Sequence, residues 1–270
     1  MTDIAVSQAA RSARQRSRGF ATALRGAVIP VLLILIWIAV DRSGLVSGHL
    51  LVPVETVLTL PFLDEAGREL WPALGSSIVR LVAGFAIGAS LGMVLGLLMG
   101  ISVIADRAIS PSFNAVRQIT LFAWIPLLTA WFGNGDGSKL VYVAMSAFFP
   151  AALNTYLGLR NIPARYLEVA KVLRLSWRTR LTQLLLPGAL PSIFIGFQIA
   201  LITAWLGTVS AEYAMGMGRG LGTFLSEGRG QFRMDVVLLG VLVLALVGYL
   251  VNVACNFAFR PLLRWQGDVK

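Results

Sequence analysis

Long stretches without a charged residue are the feature that most constrains the fold of this chain. The two longest are Leu181–Ala211, with 31 residues, and Leu81–Ala105, with 25. A membrane-spanning helix needs about 20 consecutive apolar residues, and only 13% of this chain is charged, against about 25% in soluble proteins. The sequence therefore predicts an all-α polytopic membrane protein, because a helix satisfies its own backbone polar groups inside a bilayer.

Six uncharged stretches predict six transmembrane helices. The four shorter ones are Gly26–Val40, Gln118–Gly135, Leu140–Leu159 and Val236–Phe259. Pro126 is expected to kink the third span near its middle, since proline removes a backbone hydrogen bond. The predicted organisation is a basic tail (1–25), a first span with an outer connector that carries a short amphipathic helix (26–72), a five-span core (73–259) and a C-terminal tail (260–270).

The distribution of basic residues predicts the orientation. Lysine and arginine accumulate on the cytoplasmic side of membrane proteins, and 16 of the 23 in this chain lie in segments 1–25, 106–117, 160–180 and 260–270. Both termini are therefore predicted to be cytoplasmic. The net charge is +10. The basic residues lie on both sides of the apolar stretches and do not form one patch, so membrane topology explains their distribution better than nucleic-acid binding does.

A polar segment, Arg160–Ser192, separates two apolar stretches in the second half of the chain. Asn161 and Pro163 are a helix-start signal, and Ser176 is placed to cap a second short helix. One face of the predicted amphipathic helix carries Arg165, Glu168, Lys171, Arg174 and Arg178. Two interpretations stay open at this point: a basic loop that fixes topology and binds lipid headgroups, or a docking helix for a soluble partner.

This segment resembles the EAA loop of ABC-importer permeases, which reads Glu-Ala-Ala, three residues, Gly, nine residues, then Ile-x-Leu-Pro. Glu168-Val169-Ala170 opens the pattern here, and Leu184–Pro187 closes it at the matching spacing. Arg174 stands where the family usually has glycine, so the bend between two helices is expected at Leu175-Ser176, or is shallower. Three further segments resemble permeases of the sulfonate/nitrate/taurine group, and aliphatic-sulfonate permeases most of all: Ala123–Lys139, Phe148–Pro163 and Leu186–Leu201.

The resemblance implies a type I ABC-importer permease fold with an amphipathic cytoplasmic coupling helix in the bacterial inner membrane. The implied partners are two ABC ATPase subunits, a second permease copy, an extracytoplasmic solute-binding protein and membrane lipid. The implied substrate is a small anion such as an organic sulfonate, taurine or nitrate. The implied ATPase-coupling residues are Glu168, Val169, Ala170, Lys171, Arg174, Leu175, Ser176, Leu186 and Pro187.

A glycine recurs at every fourth position of the second apolar stretch, at Gly84, Gly88, Gly92, Gly96 and Gly100. This spacing places the glycines on one stripe of a helix. A stripe without side chains lets a neighbouring helix approach to backbone contact, as is common in membranes. The stripe therefore predicts helix packing and not substrate contact.

Candidates for lining or gating a transport path are Trp124, Pro126, Trp131, Phe132 and Glu212. For the aromatic residues and the proline, ordinary helix packing or an interfacial belt is an equally good interpretation. Near the predicted outer mouth, three arginines would attract an anion, pair with neighbouring carboxylates or contact a binding protein; these are Arg219, Arg229 and Arg233.

No catalytic or metal site is predicted. The segment Gly133–Lys139 imitates a phosphate loop but lacks the required spacing and a preceding strand, so ATP hydrolysis is left to partner subunits. One cysteine, Cys255, and one histidine, His49, do not form a disulfide or a metal site.

Two other classes of protein compete with an importer permease. A secondary carrier or channel is disfavoured because its coupling usually needs ionisable groups at membrane depth, and here Arg80, Glu212 and Asp235 fall near the ends of the spans. A membrane scaffold that does not transport would need no glycine-packed bundle with kinked helices.

Overall fold

The computed structural model describes residues 52–259 and, before them, residues 28, 29, 32 and 34–43. The described residues of 28–43 are helical, and Trp37 Nε1 donates to the Val52 carbonyl at 3.1 Å. The predicted tails 1–25 and 260–270, His49, and part of the predicted first span lie outside the described residues. The chain forms two units, Met1–Thr59 and Leu60–Lys270, and the helical bundle and the candidate sites described below lie in the second.

All regular structure in residues 52–259 is helical. The helices are α1 (Val54–Leu63), α2 (Glu65–Arg68), α3 (Leu70–Ile101), α4 (Val103–Arg117), α5 (Ile125–Phe132), α6 (Asp136–Arg160), α7 (Ala164–Val172), α8 (Trp177–Arg180), α9 (Leu186–Met215), α10 (Leu221–Gly230) and α11 (Met234–Phe259). A 3₁₀ turn, Leu121–Trp124, precedes α5, and a π-helical turn, Leu181–Leu185, precedes α9. The short amphipathic helix predicted in the connector is divided into α1 and α2 at Asp64.

Four helical segments among the described residues are long and apolar enough to cross a membrane: Glu65–Ile101, Asp136–Arg160, Trp177–Met215 and Met234–Phe257. A fifth span is present if α4 and the helical segment Leu121–Phe132 are counted as one broken span. The described residues therefore contain four or five candidate spans of the six that the sequence predicts.

The prediction of a continuous third span over Gln118–Gly135, kinked at Pro126, is wrong. The chain bends by 91° between α4 and Leu121–Phe132, and the helix after the bend, α5, has only eight residues. Pro126 lies in the first turn of α5, where a backbone N–H has no partner inside the helix and its absence is harmless. The proline therefore begins this helix and does not interrupt it.

The second span also differs from the prediction, at both ends. Helix α3 begins at Leu70, so it includes Arg80, and it ends at Ile101 because Ser102 begins a new helix. The Ser102 hydroxyl accepts the Ala105 N–H at 3.2 Å and caps α4. The buried charge of Arg80 is accommodated within this helix because a buried carboxylate on α9 pairs with it.

The centre of the bundle is α6, which packs against α3 on one side and α9 on the other. The glycine stripe of α3 lies directly on the backbone of α6: a Cβ at Gly88 would overlap the Ala144 carbonyl, and one at Gly92 the Phe148 carbonyl. On the other side, Gly207 of α9 fits against Ser146, and the Thr203 hydroxyl donates to the Ser146 carbonyl at 2.9 Å. Small residues thus bring three spans into close contact.

Candidate functional site

The segment that resembles an EAA loop forms a two-helix loop, residues 160–187, which links α6 to α9. Helix α6 ends at Arg160, α7 runs from Ala164 to Val172, and α8 runs from Trp177 to Arg180. Ser176 caps α8 as predicted, since its hydroxyl accepts the Thr179 N–H at 3.3 Å. The loop therefore connects the central span of the bundle to one of its two packing partners.

Arg174 makes the bend between α7 and α8. Its φ of +49° places it in the left-handed region that favours glycine. The Leu175 N–H donates to the Ala170 carbonyl and the Arg174 N–H to the Lys171 carbonyl, both at 3.0 Å. This pair of bonds is a Schellman motif. The expectation of a bend at Leu175-Ser176 was therefore wrong, because Arg174 adopts the backbone conformation of the glycine it replaces.

The bend also ends the basic face that the sequence predicts. Arg165, Glu168 and Lys171 lie on α7, whereas Arg174 lies in the turn and Arg178 on α8. A single helical face across all five residues is therefore wrong. Glu168 and Lys171 are exposed, and Ala170 is buried.

Apolar side chains project from the tip of the loop into solvent. Val172 is 81% exposed and Leu173 63% exposed, and Val169 and Trp177 are each more than half exposed. Exposed apolar groups gathered on one small element are typical of a surface that a partner covers. The loop therefore combines a polar surface that carries Glu168 with an apolar tip.

The base of the loop is fixed to the bundle. Ile162 packs with Leu159 of α6 and with Leu185, Ala189 and Ile193 in one buried apolar cluster. At the end of α6, Arg160 pairs with Asp106 of α4 and lies 5.7 Å from the centre of the Tyr156 ring. Of the remaining predicted coupling residues, Leu186 and Pro187 are half-buried in the first turn of α9. The base of the loop is therefore in contact with α4, α6 and α9.

A group of buried charges lies at the opposite end of the bundle from the loop. Arg80 of α3 pairs with Glu212 of α9, which is completely buried. Glu212 also accepts the Ser77 hydroxyl at 2.8 Å and the Gly222 N–H at 3.0 Å. Lys139, in the first turn of α6, is completely buried as well, and its ammonium group donates to the Met217 carbonyl. The buried charges thus join α3, α6, α9 and the connection to α10.

Sequence reasoning placed these residues near the ends of spans but did not predict that they meet. Lys139 ends the segment that imitates a phosphate loop in the sequence, and in the structure it lies within α6, which begins at Asp136. The position of each charged residue directly beside an uncharged stretch was the only sequence feature that indicated a buried charge. This feature is weak evidence, because most charged residues in such positions are solvated.

The aromatic path candidates lie at the two ends of α5. Trp124 packs against a cluster formed by Leu128, Tyr142, Ala211 and Met215. Trp131 and Phe132, at the end of α5, are 64% and 55% exposed. The structure therefore brings Trp124 close to the end of α9 that carries Glu212 and leaves the other two aromatic residues at the surface.

Arg233 and Arg229, two of the three arginines that the sequence predicts near the outer mouth, are engaged by neighbouring side chains. Arg233 pairs with Asp64 and, at 2.7 Å, with Asp235, which raises the pKa of Arg233 and lowers the pKa of Asp64. Arg229 donates to the Tyr213 hydroxyl at 2.7 Å. In the part of the chain that the structure describes, no group of three His, Cys, Asp or Glu residues is arranged to hold a metal ion.

The fold and the loop define a class, that of helical membrane proteins with a packed bundle and a protruding two-helix segment. A family model described as "Binding-protein-dependent transport system inner membrane component" matches residues 88–264, which include the whole loop. The chain belongs to this family.

Several relatives align with about nine-tenths of this chain. It is 36% identical to the aliphatic sulfonates transport permease protein SsuC of Bacillus subtilis, over 91% of this chain and 88% of the relative. It is 35% identical to SsuC of Escherichia coli, over 88% and 90%, and 30% identical to the taurine transport system permease protein TauC of Escherichia coli, over 88% of each chain.

The bundle is also similar to a solved structure. A chain of the MetNI methionine ABC transporter, in an inward-facing conformation, matches with a TM-score of 0.54 and 23% identity, over 80% of this chain and 96% of that one. A second crystal form of the same transporter gives a TM-score of 0.56 and 22% identity, over 78% and 99%. At this level of identity the match shows the shared fold.

Proposed function

We propose that the chain is the membrane-spanning permease subunit of an ATP-driven importer and forms the path for a small solute delivered by an extracytoplasmic binding protein. The observation that carries this proposal is the two-helix loop, which is exposed at its tip and fixed at its base to the central spans. Such a loop suits the transmission of movement from a soluble partner to a membrane bundle.

The partner proposed for the loop is an ABC ATPase subunit. Glu168 and the exposed Val172 and Leu173 supply one charge and an apolar tip for docking. ATP hydrolysis takes place in the ATPase, and the permease converts the resulting displacement into a movement of α6 and α9. By family, two ATPases and two permease copies form the assembly.

The proposed orientation places the loop in the cytoplasm, together with both chain termini, in a bundle of six spans. This assignment is supported by the cluster of five arginines and one lysine in residues 160–180. Helix α6 has 25 residues, which corresponds to about 38 Å at about 1.5 Å per residue. The buried charges around Glu212 then lie near the outer surface of the membrane.

The proposed substrate is a small anion of the organic sulfonate, taurine or nitrate type. Support comes from relatives that are named for aliphatic sulfonates and taurine, and from a nitrate import permease 33% identical over 73% of this chain. The arginines near the proposed outer mouth are consistent with an anion, since positive potential raises the local anion concentration.

The test is reconstitution of the permease with its ATPase and binding protein in lipid vesicles. Glu168→Lys should abolish the stimulation of ATP hydrolysis by loaded binding protein, because it reverses a charge on the docking surface, and the permease should remain folded. Glu227→Lys makes the same charge change at an exposed position of α10 and should leave the stimulation intact. Normal stimulation in the Glu168→Lys complex would refute the role of the loop.

Dependence on the ATPase separates an importer from the competing classes. A secondary carrier or channel would move solute in vesicles that contain the permease alone. A scaffold would move none with or without the ATPase. Uptake that requires the ATPase, ATP and binding protein together supports the importer.

A further inference from the structure

A cleft of about 680 Å³ opens beside the buried charges, at the end of the bundle opposite the two-helix loop. One wall is a face of α3 from Pro72 to Ala83, and the other is formed by the beginning of α6. Three charged residues reach the cleft: Arg80, Asp136 and Arg219. Its volume accommodates a small organic molecule.

The guanidinium of Arg80 divides its two terminal nitrogens between two different carboxylates. Nη1 donates to Glu212, which is completely buried and is also held by Ser77 and Gly222. Nη2 donates to Asp136 at 2.6 Å, and the Asp136 side chain is 80% exposed. The contact with Glu212 is fixed by burial, whereas Asp136 is free to turn into solvent and leave Nη2 facing the cleft.

The formal charges around Arg80 balance only when Asp136 is included. Two buried cations, Arg80 and Lys139, accompany one buried anion, Glu212. The buried groups therefore carry one net positive charge, and an uncompensated buried charge is strongly unfavourable. Any ligand that takes the place of Asp136 at Arg80 must itself bring one negative charge.

We infer that this cleft binds the monoanionic oxygen headgroup of the transported solute at Arg80 Nη2, in exchange for the carboxylate of Asp136. Sulfonate and nitrate oxygens accept charge-assisted hydrogen bonds from a guanidinium, as the carboxylate does. Arg219 lines the same cleft, and its carbonyl accepts from Arg80 Nη2 at 3.4 Å. The inference rests on the proposed function, which makes this the outer end of an anion path.

The experiment follows methanesulfonate binding to the whole permease–ATPase complex in nanodiscs of phosphatidylcholine, which contain no anionic lipid headgroup. The thermal unfolding midpoint is measured against methanesulfonate concentration at constant ionic strength, with dimethyl sulfone as the neutral isostere. We expect methanesulfonate, and not dimethyl sulfone, to raise the midpoint. Equal effects of the two compounds would overturn the inference.

Asp136→Asn removes the competing carboxylate and should lower the half-saturating methanesulfonate concentration. Because the Asp136 side of this ion pair is exposed to solvent, its loss is expected to change the affinity by about two- to fivefold. Glu65→Gln is the matched control, because it removes an exposed carboxylate near the same end of the bundle that does not line the cleft. The same half-saturating concentration in both variants would contradict the exchange of Asp136 for an anion.

Removal of the guanidinium should abolish the effect of methanesulfonate. Arg80→Gln alone leaves Glu212 buried without its guanidinium partner. The double variant Arg80→Gln with Glu212→Gln is therefore used, because it removes one charge of each sign and leaves the net charge of the buried group unchanged. A methanesulfonate-dependent shift that survives in the folded double variant would refute the assignment to Arg80.

Vesicle uptake separates failure of this inference from failure of the proposed function. ATP-dependent sulfonate uptake by a complex that shows no methanesulfonate-dependent shift overturns the cleft assignment and leaves the importer intact. Methanesulfonate binding without any ATP-dependent uptake overturns the importer and, with it, the assignment of the cleft to a transported solute.

Discussion

The Leu175 N–H donates to the Ala170 carbonyl at 3.0 Å and closes the turn around Arg174. This bond requires the residue it encloses to adopt a left-handed conformation, and Arg174 does so with a φ of +49°. A residue with a Cβ is disfavoured there by roughly 1–2 kcal/mol. The loop geometry is thus retained without the glycine that resembling sequences have at this position.

Arg174→Gly should stabilise the two-helix loop by about 1 kcal/mol, because glycine enters the left-handed region without a steric penalty. The measurement is hydrogen exchange of the α7 amides, which should slow in the variant. Lys171→Gly is the control, in which exchange of the same amides should become faster, since glycine inside a helix destabilises it by about 1 kcal/mol. Faster exchange in Arg174→Gly would contradict the left-handed turn.

Gly88→Ala should destabilise the bundle by about 1–3 kcal/mol, as expected for overpacking. The new methyl group would overlap the Ala144 carbonyl, and a backbone atom does not move aside as the end of a side chain does. Gly75→Ala lies on the same helix with nothing within 4 Å of the new Cβ, so it should be neutral or stabilising. Thermal unfolding of the purified variants in detergent measures both changes, and equal midpoints would argue against close packing of α3 on α6.

Arg80→Gln should cost about 3–5 kcal/mol of unfolding free energy, because it leaves Glu212 as an unpaired buried charge. Adding Glu212→Gln should restore part of this loss, since both charges are then absent. Chemical denaturation of the two variants measures the difference. A double variant less stable than Arg80→Gln would show that the two residues do not act as a pair.

Low pH should weaken the link between Asp64 and Arg233. The hydrogen bond from Arg233 lowers the pKa of Asp64, so this link contributes stability above the pKa of about 4 of the unfolded chain. The contribution is lost as pH falls through the lower pKa of the folded state. Unfolding midpoints recorded between pH 6 and pH 3 should fall less steeply in Asp64→Asn than in Glu65→Gln, and parallel curves would count against the link.

We expect cysteine labelling to show that the two-helix loop and Arg229 lie on opposite sides of the membrane. The single cysteine, Cys255, is buried, so Cys255→Ala provides a background for one introduced thiol. In intact cells a membrane-impermeant maleimide should label Arg229→Cys and not Arg178→Cys, and in inside-out vesicles the pattern should reverse. Labelling of Arg178→Cys in intact cells would reverse the proposed orientation.

Helices α3, α6 and α11 approximate stretches that the sequence predicts, whereas the bent segment between α4 and α5 does not. An uncharged stretch reports the hydrophobic environment of a segment, and it does not report whether the backbone continues in one direction. Pro126 illustrates the difference. A proline in the interior of a helix kinks it, whereas a proline in the first turn is compatible with a straight helix. The surrounding sequence pattern is nearly the same in both cases.

In the candidate site, the local pattern around Glu168 predicts a loop of two helices, and Ser176 caps the second as expected. The position of the bend was not predictable, because it depends on the backbone conformation that Arg174 adopts. The helix that packs on the glycine stripe was also not predictable, since the spacing of the glycines identifies a packing face but not the helix that covers it.

The sequence by itself determined that this is a helical membrane protein of the importer-permease family, because long uncharged stretches and the Glu168–Pro187 spacing are local properties of the chain. Only the tertiary structure decided that Arg80 meets Glu212, 132 residues away, and that Lys139 is buried near them. These contacts depend on how α3, α6 and α9 pack together. The complementarity between helix surfaces that are distant in the sequence cannot be inferred from any one segment.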